Sequence, residues 1–296
     1  MRCAKAWSPA GLSALFEACV VEGDPLKSGA RGAGLALEKG VTVEVCTSEG
    51  GVETLLNGVR GDYEVARRAA LEVARLAGYT GGLTVRQTVE VPIGGGLGTS
   101  GASALATVLA TASLLGVKLS YTSLARIAHK VEVETGTGLG TVSGLAVGGA
   151  CIVAEPGPPG SDRVDRILVG QDRVVVVGFF GPIRKSSVLR STSLAEVNRR
   201  GRFYVEALLR EPTIENLLAF SKSFSLETGL ATPNVRKAYE ELEMRGFPLA
   251  GQAMVGDTVF TVVPVEEADA VSSVLRNLGA HVTVTGISWK PAVLLL

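Results

Sequence analysis

The segment from Pro92 to Ala102, PIGGGLGTSGA, carries the clearest chemical signal in the chain. It combines glycines with two adjacent hydroxyl side chains: Gly94, Gly95, Gly96, Gly98, Gly101, Thr99 and Ser100. Glycines let a backbone approach a bound group closely, and the N–H groups at a helix start attract phosphate. Alternating strand residues precede the segment, and a small-residue apolar run, 103–117, follows it. We therefore predict a strand, a phosphate-binding loop and then a helix.

Other types of glycine-rich loop require neighbouring residues that this sequence lacks. A dinucleotide-binding fold would use the G-x-G-x-x-G spacing from Gly96 to Gly101, but it needs an acidic residue about 20 positions later. No acidic residue occurs between Glu90 and Glu132. A Walker A loop needs a lysine after its last glycine, and none is present here. A turn that serves only tight strand–helix packing is the third alternative, and five glycines around two hydroxyls exceed what such a turn requires.

A second glycine-rich stretch, 136–144, directly follows a predicted helix that runs from Ser120 or Tyr121 to about Glu134. This helix carries His129 and Glu132, which are three residues apart and therefore share one face. Glu134 lies on a different face, because it is only two residues beyond Glu132. The helix can thus present an imidazole and a carboxylate together.

The elements that must position these residues fall into two groups. In the first half we predict strands at 41–46, from residue 83 and at 147–154, and helices at 62–76 and in the 103–117 run. The second half predicts a buried strand at 174–179, helices at about 193–210, 213–227 and 234–245, and a strand–helix–strand ending at 258–263, 266–278 and 282–287. Residues 155–161, EPGPPGS, are typical of a linker. The predicted fold is α+β with two domains, 1–160 and 161–296, the second of them ferredoxin-like.

Composition narrows the range of partners. Basic and acidic residues number 29 each, so the chain has no net charge, which argues against nucleic acid or an anionic membrane as a partner. The uncharged stretch 91–117 contains too short an apolar run to span a bilayer, so we expect a buried helix there. Charged residues interrupt any leader-like apolar core near residue 1, so we expect no signal peptide. The four scattered cysteines, Cys3, Cys19, Cys46 and Cys151, indicate reduced thiols in a cytoplasmic protein, with neither a disulfide framework nor a zinc site.

With these motifs in place, the chain resembles a known superfamily. The loop 92–102 is similar to the ATP-binding loop of the GHMP kinases, which include galactokinase, homoserine kinase, mevalonate kinase and phosphomevalonate kinase. Segments in the same order along the chain resemble the archaeal pantoate kinases within that superfamily: 24–34, 37–41, 128–134, 137–140, 155–160 and 251–260. The resemblance implies a ribosomal-protein-S5-like N-terminal domain, a ferredoxin-like C-terminal domain, ATP and Mg²⁺. It also implies phosphorylation of D-pantoate to 4-phosphopantoate in coenzyme A biosynthesis. The alternatives are another hydroxy-acid acceptor (mevalonate, phosphomevalonate or homoserine) and a nucleotide-binding homologue without catalysis.

The resemblance assigns roles to individual residues. The ATP site would comprise Pro92, Gly94, Gly95, Gly96, Leu97, Gly98, Thr99, Ser100 and Gly101. Ser100 and Glu132 would hold Mg²⁺, and His129 would contact the acceptor. The structural alternatives are that Ser100 is the helix N-cap, that Glu132 lies on a solvated helix face and that His129 has only a structural role.

Basic residues outside these motifs are candidate anchors for an anionic acceptor. Arg31 sits among glycines that could hold its guanidinium against a carboxylate. Lys39 and the segment containing Ser186 are further candidates. The expected partners are a small hydroxy acid and, as one option, a second copy of the chain in a homodimer, with neither nucleic acid nor membrane.

The sequence departs from the family pattern on the acceptor side. Thr141 stands where the superfamily often has an aspartate, the proposed base for the acceptor hydroxyl. Ala30 replaces a common serine, and residues 152–154 are apolar where the family often has an arginine. A threonine cannot act as a base at neutral pH, and general bases contribute about 10²–10⁴-fold in rate. The hypothesis is that this enzyme works by positioning and Mg²⁺ alone.

Overall fold

The computed structural model describes residues 2–183 and 193–295. Its first sheet has the order β12-β1-β2-β5-β3-β4, and β6 pairs with β2 and β7 with β6. The strands are β1 (Cys3–Cys19), β2 (Gly29–Ser48), β3 (Val52–Leu56), β4 (Val59–Arg60), β5 (Gly82–Val89), β6 (Ala150–Glu155), β7 (Arg163–Ile167) and β12 (Val293–Leu295). All of these pairings are antiparallel except that of β3 with β5.

Helices pack against this sheet: α1 (Glu64–Leu76), α2 (Thr99–Leu115), α3 (Tyr121–Glu134) and α4 (Thr141–Val147). Every residue of α2 from Gly101 to Ala112 is buried, because its small apolar side chains let α1, α3 and the sheet surround it. The uncharged run is therefore a buried helix, as predicted. Within the described ranges, no helix is both long and apolar enough to cross a membrane.

The second sheet is antiparallel with the order β11-β8-β10-β9. It consists of β8 (Arg173–Gly181), β9 (Gly251–Gln252), β10 (Asp257–Pro264) and β11 (His281–Thr285), with helices α5 (Leu194–Arg210), α6 (Ile214–Glu227), α7 (Pro233–Met244) and α8 (Ala268–Asn277). A 3₁₀ turn, Val265–Glu267, precedes α8. Helices separate the first strand from the second and the third from the fourth, which is the ferredoxin-like βαββαβ order. The α+β class is thus confirmed.

Each sheet with its helices forms one layer of the molecule, the first N-terminal and the second C-terminal. The two layers share a hydrophobic core, and segments of the chain cross from one layer to the other. Leu15 of β1, Phe224 of α6 and Phe260 of β10 are buried in one cluster. The Met254 N–H donates to the Ser13 carbonyl of β1 at 2.8 Å. The predicted boundary at 160/161 lies between β6 and β7, which both belong to the first sheet, and β12 returns to pair with β1.

The expectation of four reduced thiols is wrong for two of them. Cys3 and Cys46 are directly opposite each other in the β1–β2 register and form a disulfide. Sequence spacing could not reveal this pairing, because it depends on the register of two long strands. Cys19 and Cys151 are free thiols.

Candidate active site

The loop after β5 leads into α2 through a left-handed glycine. Gly98 has φ 59° and occupies the N-cap position without a side-chain cap. A Cβ there would lie 2.5 Å from the Gly11 carbonyl oxygen, so only glycine fits. The first-turn N–H groups of a helix have no partner within the helix, and here no capping side chain covers them. This helix start can therefore accept an anionic group.

The earlier glycines of the loop pack on the C-terminal layer. A Cβ on Gly96 would lie 2.7 Å from the Ala253 carbonyl oxygen, and one on Gly256 would lie 2.2 Å from that of Gly95. A Cβ on Gly95 would lie 2.8 Å from the ring of Phe179. The segment 251–260 thus supports the loop by backbone contact, which gives these glycines a packing role.

Ser100 and Glu132 meet at the start of α2. Ser100 Oγ donates to Glu132 Oε1 at 2.8 Å, and the Glu132 side chain is buried, with 2% of the residue exposed. Thr137 Oγ1 also donates to Oε1, at 3.3 Å. Because Gly98 is the cap, Ser100 is not, and because Glu132 is buried, it does not lie on a solvated face. The two residues form an oxygen-rich pair where the helix N-terminus, α3 and the 136–144 stretch converge.

Glycines close around this carboxylate. Cβ atoms on Gly101 and Gly138 would lie 2.8 Å and 2.6 Å from Glu132 Oε2. Thr141, the first residue of α4, places its methyl carbon 2.9 Å from the Cβ positions of both Gly98 and Gly101. Position 141 is therefore packed against the backbone of the glycine loop 92–102.

A cavity of about 450 Å³ extends from Thr141 between β1, β2 and the 136–145 segment. Among the described residues that line it, Arg31 is the one with a charged side chain. Much of the wall is apolar and includes Leu12, Leu15, Phe16, Leu35, Leu139, Leu145, Val153 and Met254. Ala30 also lines it. Such a cavity suits a small molecule with one anionic end and an apolar body.

Arg31 is held by a backbone carbonyl and two carboxylates, one of which is Glu206, with its Oε1 3.6 Å from Arg31 Nη1. Its Nε donates to the Ala154 carbonyl at 2.9 Å, and its Nη1 donates to Glu17 Oε2 at 3.2 Å. Glu17 is buried at 3% exposure, and its only signal in the sequence is that it is the one charged residue between Lys5 and Glu22. Sequence reasoning found Arg31 but missed Glu17.

His129 lies beside the cavity lining rather than in it. The residue is 1% exposed, and its Nε2 is 3.0 Å from the Ser28 carbonyl, to which it donates. Burial lowers the pKa of His129 below its usual value, which favours the neutral imidazole. The imidazole therefore fastens the turn before β2 to α3. Contact with an acceptor stays a prediction.

Lys39, a further candidate anchor, does not line this cavity. Lys39 is exposed on β2, and its backbone N–H donates to Thr285 Oγ1 at 3.2 Å. Ser186 lies outside the described residues.

The chain as a whole is similar to several known proteins. The family described as the GHMP kinases N terminal domain matches residues 64–149. The chain is 30% identical over 272 residues to a pantoate kinase of Methanocaldococcus jannaschii, covering 92% of this chain and 97% of that protein. It is also 30% identical to a pantoate kinase of Thermococcus kodakarensis, covering 93% and 92%. A solved structure described as a phosphotransferase related to the CoA biosynthesis pathway superposes with a TM-score of 0.89 at 27% identity, covering 99% of both chains.

Proposed function

Since the chain belongs to the GHMP kinase family, we propose that it transfers the terminal phosphoryl group of ATP to the 4-hydroxyl of D-pantoate, forming 4-phosphopantoate for coenzyme A biosynthesis. The chain is an ATP-dependent small-molecule kinase. Its pantoate kinase relatives, which it matches over nearly its full length, support pantoate as the acceptor.

The observation that supports a small acceptor with one carboxylate is the single charged side chain, Arg31, among the described residues of an apolar cavity. D-Pantoate has one carboxylate and a branched apolar body, so it matches one cation and a hydrocarbon wall. Phosphomevalonate carries more negative charge than this one cation balances. Homoserine adds an ammonium group that would need a hydrogen-bond acceptor or an anion in the cavity wall. Mevalonate, with one carboxylate and a methyl group, fits the same description and is therefore the rival to test.

The donor site follows from the loop. We assign the ATP phosphates to the backbone N–H groups of Gly94–Gly101, with the adjacent Pro92 shaping the loop. We assign Mg²⁺ to Ser100 and Glu132, since Mg²⁺ prefers oxygen ligands and is commonly held by one or two carboxylates together with substrate phosphates. Their 2.8 Å pairing fits that assignment. When bound, Mg²⁺ would neutralise charge on the transferring phosphoryl group.

The residues of the chain then act mainly by positioning. Arg31 holds the acceptor carboxylate, the apolar wall excludes water, and the loop fixes the phosphates, so the acceptor hydroxyl is held facing the phosphoryl group. Thr141 cannot accept the hydroxyl proton, which leaves late in a loose transition state and can pass to a phosphate oxygen or water. A gain in kcat of more than about tenfold in Thr141→Asp would contradict this mechanism, because it would show that the native site lacks a needed base.

We further place the enzyme in the cytoplasm, where its ATP substrate is available. A homodimer stays one option for the assembly, and sedimentation of the purified protein would measure it directly.

The test is ADP release with a panel of acceptors: D-pantoate, mevalonate, phosphomevalonate and homoserine. We expect kcat/KM for D-pantoate to exceed each other value by at least about 100-fold, which is about 2.7 kcal/mol of discrimination. A higher value for mevalonate would refute the acceptor. ATP binding without turnover on any acceptor would refute catalysis.

A further inference from the structure

Glu17 stands between two arginines from different layers of the molecule. Its Oε2 accepts from Arg31 Nη1 at 3.2 Å. Its Oε1 accepts from Arg202 Nε at 2.9 Å and from Arg202 Nη2 at 2.6 Å. Each carboxylate oxygen therefore serves a different arginine, and the Glu17 carboxylate is buried between them.

Arg202 reaches this place because α5 lies tightly against the end of β1. A Cβ on Gly201 would lie 1.9 Å from the Phe16 carbonyl oxygen, so only glycine allows this approach. Asn198 accepts from the Ala18 N–H at 2.9 Å and donates to the Ala18 carbonyl at 3.0 Å. Contacts to three successive residues of β1, Phe16, Glu17 and Ala18, thus hold α5 beside Arg31.

Arg31 gains a fixed orientation from the same arrangement. Glu17 and Arg31 face each other across the β1–β2 register, and Ala154 of β6 receives the Nε bond. An arginine side chain loses much rotamer freedom when it binds a carboxylate, and holding it in place beforehand removes that cost from binding.

We propose that Glu17 is the positioning residue for acceptor recognition: held by Arg202, it orients Arg31 for the substrate carboxylate. Helix α5 of the second layer therefore sets the geometry of an anchor in the first. This rests on the proposed binding of the acceptor carboxylate by Arg31. Two effects oppose each other here, because the Glu17 carboxylate also weakens the positive potential at Arg31. A second carboxylate, Glu206, lies 3.6 Å from Arg31 Nη1, but its side chain is half exposed, so solvent screens its charge. The proposal holds that orientation outweighs these effects, since Arg202 offsets the Glu17 charge.

The experiment is Glu17→Gln assayed with D-pantoate and ATP varied separately. We expect KM for D-pantoate to rise about tenfold, while kcat and KM for ATP change less than about twofold. Arg202→Gln should raise KM for D-pantoate about threefold, and Arg202→Lys should restore part of the loss. Arg202 is largely exposed, so its variants test the proposal even if Glu17→Gln fails to fold.

The matched control is Glu227→Gln. Glu227 accepts from Tyr204 Oη and from Arg200 Nη1, each at 2.8 Å, so it ties α5 to α6 through a comparable network. This control should leave all three kinetic constants within about twofold of the wild type.

The outcomes separate cleanly. An unchanged or lowered KM for D-pantoate in both Glu17→Gln and Arg202→Gln would overturn the proposal. It would mean that the electrostatic potential at Arg31, and not the orientation of its side chain, decides how tightly D-pantoate binds. Parallel losses in kcat and in both KM values would also overturn it, since they would indicate a general folding role. Failure of the wild-type protein to phosphorylate D-pantoate would instead refute the proposed function.

Discussion

Two glutamates on α3 provide a matched test of the metal assignment. Glu132→Gln keeps the shape of the side chain and an oxygen that can accept from Ser100, but it removes the charge offered to Mg²⁺. We expect kcat to fall at least about 100-fold and the Mg²⁺ concentration for half-maximal rate to rise, because charge stabilisation of the transferring phosphoryl group is lost. Steady-state rates across a Mg²⁺ titration measure both.

Glu134→Gln is the control. Glu134 pairs with Lys130 at 3.6 Å and is about one-third exposed, so its replacement should change kcat less than twofold. Equal losses in the two variants, or normal activity in Glu132→Gln, would contradict the assignment of Glu132 to the metal.

The sequence predicted single residues well where a motif fixes their neighbours. Loop and helix motifs pointed to Ser100 and Glu132, and the structure brings these within hydrogen-bond distance. Their metal role stays a prediction. Glu17 escaped prediction because its partner Arg202 is 185 residues away. No local pattern reveals a contact that arises only when α5 packs on β1.

At the scale of elements, α2 has a left-handed glycine at each end, and the two ends differ in one respect. Gly98 and Gly116 have φ values of 59° and 68°. A Cβ on Gly98 would meet backbone at 2.5 Å, whereas a Cβ on Gly116 meets nothing within 4 Å. Replacement by alanine costs about 1–2 kcal/mol of backbone strain at either site, so the pair isolates the effect of the clash.

We expect Gly98→Ala to raise KM for ATP at least about tenfold, because the displaced loop no longer presents its N–H groups together. Gly116→Ala should lower thermal stability but leave KM for ATP within about twofold. Thermal denaturation and initial rates on both variants measure this. Similar KM values in the two variants would show that the loop tolerates the displacement.

Helices were easier to predict than strands in this chain. The predicted helix at 62–76 is observed as Glu64–Leu76, and the four helices described in the second half fall within a few residues of their predicted bounds. Strand β1 was not predicted, because much of it is buried on both faces and lacks polar alternation. Helix α4 was also missed, since Gly140 precedes it and Gly144 lies within it, and glycines are typical of turns.

For the whole molecule, β1 is the strand that joins the parts. Its first residue is bonded to β2 through the Cys3–Cys46 disulfide. Its middle contacts the segment 251–260 through the hydrogen bond between Ser13 and Met254, and its end contacts α5 at Phe16 and Ala18. Strand order and register, which sequence patterns leave open, therefore decide where Arg31 lies relative to the loop 92–102.

The disulfide gives a prediction at the same scale. Cys3 and Cys46 are 43 residues apart, and a cross-link over such a loop stabilises a protein by about 2–4 kcal/mol, mainly by restricting the unfolded chain. We expect Cys46→Ser, or reduction of the wild type, to lower the midpoint of thermal unfolding by several degrees. Calorimetry with and without reductant measures it, with Cys19→Ser, which keeps the disulfide and its sensitivity to reductant, as the control. Disulfides are rare in reducing cytoplasm, so thiol counting on protein taken directly from cells is decisive. Two free thiols would mean that the bond persists there, and four would mean that β1 and β2 are held by strand pairing alone.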